Sequence, residues 1–177
     1  MSQFTDDLLA QADGLLRADP RRPKQANLRR AVSSAYYALF HFLIEEATMI
    51  VVGASGGARP LRQLVGRGFS HTAMKSASLE IRKGTPSDLL KPFWPQYGVS
   101  SSRELQDIAR AFVELQQERH RADYDLSQPF TRDEAEFLIG QARDAIGDWN
   151  SLRNNDRELA KFYALCLLCW NNWKGRG

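Results

Sequence analysis

The sequence predicts an all-α protein. Apolar residues recur at three- and four-residue spacing through almost every segment, no run alternates β-branched residues between turn signals, and clusters of Pro and Gly fall between the periodic segments. A length of 177 residues with 43% hydrophobic and 25% charged side chains fits one compact domain with a real core. It excludes collagen-like, low-complexity and wholly disordered chains.

In chain order, Ser2 or Thr5 caps a first helix with Asp6 and Asp7 in its early turns and Phe4, Leu8, Leu9, Ala12, Leu15 and Leu16 on one side. Pro20 and Pro23 stop it by Asp19. The second helix, residues 25–52, has two adjacent apolar stripes, Ala31, Ala35, Leu39, Phe42 and Tyr36, Phe40, Leu43, Ala47, an arc wide enough for a central helix. Residues 53–57 form a glycine-rich loop, and the missing Lys-Ser/Thr at phosphate-loop spacing excludes a nucleoside-triphosphate cradle there.

A short helix from Pro60 to Gly66 or Gly68 precedes another over residues 70–83, which Gly84-Thr85-Pro86 ends. Residues 89–97, with Phe93, Trp94 and Tyr97 among Pro92 and Pro95, predict an irregular connection or one short helix. Residues 100–102 cap a helix running to about Arg121, and Thr131 with Glu134 forms a capping box opening the last long helical region. Gly147 and Asn154-Asn155-Asp156 are its break points, beyond which Leu159 to Trp173 carry an apolar face. Trp94, Trp149, Trp170 and Trp173 are expected in a bundle or dimer seam rather than as base-stacking platforms. The domain division expected is a bundle over residues 1–150 and a helical extension over 151–177, packed on the bundle or at a dimer seam.

Cys166 and Cys169 have no second pair and no His beside them, so they predict core thiols on one helix face rather than zinc ligands. The apolar runs are too short or carry charge for a membrane span, and no leader opens the chain, so the reading is cytoplasmic with no membrane partner. The net charge of +3 is too small to argue for nucleic acid, but the distribution is uneven. Arg17, Arg21, Arg22, Lys24, Arg29 and Arg30 face only Asp19, and Arg59, Arg62, Arg67, Lys75, Arg82 and Lys83 face only Glu80, clusters suited either to phosphate or to a solvated surface.

Three blocks, Arg30-Ala31-Val32-Ser33-Ser34-Ala35-Tyr36-Tyr37-Ala38-Leu39-Phe40-His41, Phe69-Ser70-His71-Thr72 and Glu118-Arg119-His120-Arg121-Ala122-Asp123-Tyr124-Asp125, together resemble the HEPN family in content and order. They fall within residues 25–146; the stretch from Asp148 onward is outside the resemblance. The resemblance implies an up-and-down bundle of four to five main helices, a homodimer in which Arg-bearing helix ends meet, and binding of RNA or nucleotide. It also implies a place in a toxin-antitoxin or defence-type module, with a nucleotidyltransferase-type antitoxin or another protein as partner, and it implies no cofactor. The family's nuclease motif sets a His after an Arg with four to six residues intervening; here Tyr124 stands after four intervening residues from Arg119, and no His follows His120.

Metal-free RNA cleavage needs a base, an acid and a fixed cation on the phosphate. Arg119 and Arg121 suit the cation's role, whereas Tyr124, with an ordinary pKa of about 10, suits stacking better than proton abstraction. His120 has the right ordinary pKa but points about 100° around the helix from Arg119. The candidate catalytic set is therefore Arg119, Tyr124 and His120, and the candidate nucleic-acid-binding set is Arg119, Arg121, Tyr37, His41 and His71. Tyr36 and Tyr37 point to different faces, so at most one lines a cleft; His41, one turn beyond Tyr37, equally suits a partly buried role. Asp123 and Asp125 suit a structural ion network with Arg119 and Arg121. Three functions stay open: an RNA- or nucleotide-binding subunit, a metal-independent ribonuclease using Arg119 with a His outside the motif, and a protein-interaction module built on the C-terminal helix.

Overall fold

A computed structural model describes residues 2–174, and regular structure among them is entirely helical. The helices are α1 (Gln3–Arg17), α2 (Gln25–Val52), α3 (Arg59–Gly66), α4 (His71–Lys83), α5 (Arg103–Tyr124), α6 (Arg132–Asn155) and α7 (Arg157–Lys174), with one 3₁₀ turn at Gly56–Ala58. Seven α-helices thus make up the described chain.

Local chemistry sets the ends. The Ser70 hydroxyl accepts the Ala73 N–H at 3.2 Å to start α4, and Gly84, in the left-handed region at φ 70°, ends it by donating to the Ile81 carbonyl. The capping box forms as written: Glu134 N–H donates to Thr131 Oγ1 at 3.1 Å, and Thr131 N–H donates to Glu134 Oε2 at 2.7 Å. The Thr131 N–H, joined by the Thr131 hydroxyl at 2.9 Å from the same oxygen, holds the Glu134 carboxyl below the usual carboxylate range. Gly147 does not break α6, which continues to Asn155; the break comes at Asp156, whose carboxylate accepts the Leu159 N–H at 2.9 Å and caps α7. Residues 88–101 are consecutive turns, with bonds such as Trp94 N–H to the Leu90 carbonyl, so neither Pro92 nor Pro95 interrupts a helix.

The chain divides into two compact units. The first takes the residues up to Phe42 with Ala111–Ile146, the second Leu43–Arg110 with the residues from Gly147 onward, so α2, α5 and α6 each contribute to both. In the first unit Leu28, Tyr36 and Phe112 are fully buried, with the Tyr36 and Phe112 rings 5.8 Å apart. Burial pushes the Tyr36 phenol up. Arg132 ties α6 to the end of α1, donating to the main-chain oxygens of Leu16 at 2.6 Å and Asp19 at 2.8 Å.

In the second unit α7 packs on α4. Tyr163 and Trp149 are fully buried, the Tyr163 hydroxyl shares a 2.8 Å hydrogen bond with Ser78, and burial pushes that phenol up as well. Each such aromatic side chain contributes about 1.5–3 kcal/mol through burial. The apolar face of α7 is thereby used inside its own unit, with Leu159, Phe162, Leu167 and Trp170 buried. Glu46, 4% exposed, accepts from Trp149 Nε1 at 2.9 Å and from Arg153 Nη1 at 2.6 Å.

The apolar run of α2 is longer in effect than its uninterrupted stretches suggest. The helix is long and apolar enough, by length and composition, to cross a membrane, yet 56% of that window is buried, as in a core helix.

Cys166 is fully buried, and burial first, then Cys169 and Glu80 nearby, push its thiol up to about 12. Cys169 is half-buried and its thiol is raised by burial alone. Alkylation of the native protein should therefore label Cys169 slowly and Cys166 only on unfolding. Mass mapping after alkylation checks this; equal labelling of both thiols in the folded protein would contradict it.

Candidate functional site

In the first unit, the N-terminal half of α2 and the last turn of α5 line an open groove of about 470 Å³. Its lining includes Arg29, Arg30 and Tyr37 from α2 and Arg119, Asp123 and Tyr124 from α5. Helical spacing explains the set. Positions 26, 30, 33 and 37 fall on one face of α2, and 119 and 123 are one turn apart on α5.

Arg119 is the centre of the site. Its Nη2 donates to the Tyr37 hydroxyl at 2.6 Å, and its Nε lies 2.8 Å from Asp123 Oδ2, close enough for charge pairing but without an aligned hydrogen bond. The guanidinium also sits 5.3 Å from the Tyr37 ring centre and 5.8 Å from that of Tyr124. Burial works against the charged form, but Asp123, Tyr37 and Tyr124 outweigh it and hold the Arg119 pKa above the ordinary arginine value. Asp123 divides its attention: Oδ1 accepts from the Ser33 hydroxyl at 2.7 Å.

The two α2 arginines have different fates. Arg29 Nη1 donates to the main-chain oxygens of Arg121, Ala122 and Asp125, and its Nη2 to that of Gln128, all between 2.8 and 3.1 Å. They lie in the last turn of α5 and the loop after it, and only the Arg121 oxygen also accepts a main-chain donor, the Asp125 N–H, so Arg29 serves as a side-chain clamp on that terminus. Arg30 is exposed and makes no hydrogen bond or ion pair within the described residues, leaving its whole guanidinium for solvent or a ligand.

The remaining sequence candidates are distributed around this groove rather than gathered in it. His120 is exposed and lies outside the groove lining, its ring resting against that of the groove residue Tyr124, itself 66% exposed, with centres 4.8 Å apart. Arg121 does not share the hollow with Arg119. It lies over the Phe130 ring at 3.8 Å, with its Nε 3.1 Å from Glu118 and its Nη2 3.4 Å from Glu134. Two residues beyond Arg119 is some 200° around the helix, which turns Arg121 to the opposite side. Asp125 accepts from Ser127, which lowers its pKa, rather than from Arg121.

His41 is enclosed by aromatic rings, 5.1 Å from Phe4, 5.2 Å from Phe40 and 6.2 Å from Tyr37, and burial lowers its pKa. His71 is the first residue of α4 and belongs to the second unit. Of the residues singled out in the sequence, the groove brings together Arg119, Asp123, Tyr37, Tyr124, Arg29 and Arg30, while the buried Ser33 reaches the set only through its bond to Asp123. Among the described residues no group of three or more His, Cys, Asp or Glu is placed to hold a metal ion. Comparison with protein-family models, curated proteins and solved structures finds none that matches this chain.

Proposed function

We propose that this protein is an RNA- or nucleotide-binding subunit of HEPN-like type that engages its ligand in the groove of the first unit. The observation that carries the reading is the Arg119 guanidinium, held between the Tyr37 and Tyr124 rings in an open groove beside an unengaged Arg30. Arginine binds phosphate through paired N–H groups, and an exposed tyrosine offers a stacking face to a base of any identity. The resemblance of the 30–41 and 118–125 blocks adds homodimerisation and pairing with a nucleotidyltransferase-type antitoxin in a toxin-antitoxin or defence-type module.

Binding is favoured over RNA cleavage by the groove's own composition: no His lines it. The ribonuclease reading draws on one contact, His120 against Tyr124, and requires RNA cleavage that persists in chelator and is lost in Arg119→Ala.

Fluorescence anisotropy with a labelled single-stranded RNA over a salt series tests the proposal. Binding should weaken steeply with salt, and Arg119→Ala should lose about tenfold or more in affinity while lowering the salt slope by about one. Asp123→Asn should bind several-fold more tightly, because the amide keeps an acceptor for Ser33 while removing the carboxylate that competes with phosphate for Arg119. No RNA or mononucleotide binding at low salt would defeat the proposal.

A further inference from the structure

The second unit carries a cavity that the groove does not involve. Turn residues of the 88–101 segment and one flank of α7 enclose about 410 Å³, within the size span of small-molecule pockets. The buried side chains of Leu90 and Phe162 line its inner part, and the Tyr97 ring stacks on Phe162 with centres 5.0 Å apart and planes 18° from parallel. Phe93, 44% exposed, and the half-buried Trp173 extend the aromatic lining outward. An opening of this kind leaves aromatic surface in water, a cost that an occupant relieves.

The charged lining consists of Glu158 and Lys161. They stand three residues apart on α7, a spacing at which such pairs commonly meet, yet both are exposed and neither forms an ion pair with a described residue. The cavity thus offers stacked aromatic walls with one separate negative and one separate positive group. A neutral hydrocarbon would leave both unanswered, and a simple acid or amine would answer one.

We infer that this cavity binds a small aromatic molecule with a zwitterionic head, of the aromatic α-amino-acid class. Its ring lies among Phe93, Tyr97 and Phe162, its carboxylate meets Lys161 and its ammonium meets Glu158. The charge complementarity of the lining, not its apolarity alone, selects the head group.

Four probes sharing one ring separate these contributions: tryptophan, indole-3-acetate, tryptamine and indole, each titrated into the full chain by calorimetry and by ligand-observed saturation-transfer NMR. Tryptophan should bind most tightly, with about tenfold weaker binding for each singly charged probe. Lys161→Ala should bring tryptophan down to the affinity of tryptamine, and Glu158→Ala down to that of indole-3-acetate. Both positions are exposed, so circular dichroism should show an unchanged fold, and Arg119→Ala should leave tryptophan binding intact. Equal binding of all four probes, tighter binding of a singly charged probe, or no saturation transfer from tryptophan would overturn the assignment.

Discussion

Arg29→Ala should lower stability by about 3 kcal/mol, a large loss for one half-buried side chain. The reason is the number of groups it satisfies at once: the main-chain oxygens of Ala122, Asp125 and Gln128 lose their donor together, while that of Arg121 keeps only the Asp125 N–H. For a chain of this length that corresponds to a fall in Tm of roughly 6–12 °C. Arg29→Lys should recover less than half, because a single ammonium cannot reproduce a planar fork spread over four acceptors. Denaturant melts give the loss, and amide exchange should show faster opening at residues 121–125. A change below about 0.5 kcal/mol, the ordinary range for surface substitutions, would mean that the clamp contributes nothing.

Glu46→Ala should cost about 3–5 kcal/mol, the range for removing one partner of a buried ion pair. It strands the indole N–H of fully buried Trp149 and the charge of Arg153 in the same step. Glu46→Gln should cost less, since the amide oxygen still accepts from Trp149. Arg153→Met should fall between them, because it leaves the 4% exposed Glu46 carboxylate without its cation but with its indole donor, whereas the 37% exposed Arg153 left by Glu46→Gln is solvated by water. This order, Ala worst and Gln mildest, is checked by the denaturation midpoints of the three variants at unchanged slope. A loss in Arg153→Met equal to that of Glu46→Ala would place the energy in the ion pair rather than in the buried acceptor.

The all-helical class was legible because apolar spacing and capping are local. Thr131 and Glu134 announce the start of α6 within four residues, and Ser70 with Gly84 brackets α4. What spacing does not reveal is which faces meet. The Ser78–Tyr163 bond joins residues 85 apart, and the pairing of α4 with α7 follows from no periodic signal in either helix.

The groove shows the same division. Arg119 and Tyr124 stand out locally, and Tyr37 stands out through its position in the 30–41 block. A cluster containing Arg29 and Arg30, however, does not disclose that one is consumed by carbonyls while the next, about 100° further round the helix, stays open. Nor does the spacing of His41 from Tyr37 disclose Phe4, which arrives from α1 to enclose it. Arg121 was drawn to the groove by adjacency in sequence, and helical rotation sends it to Phe130 instead.

The triangle of Arg119, Tyr37 and Asp123 has a kinetic and entropic corollary. A free arginine carries about 2 kcal/mol of rotamer entropy, which a surface side chain surrenders only when its ligand arrives. Here the phenol and the carboxylate settle that conformation during folding. An anion docking beside them meets a preorganised cation, so ordering contributes little to its association barrier, and differences between ligands fall mainly on how fast each one leaves.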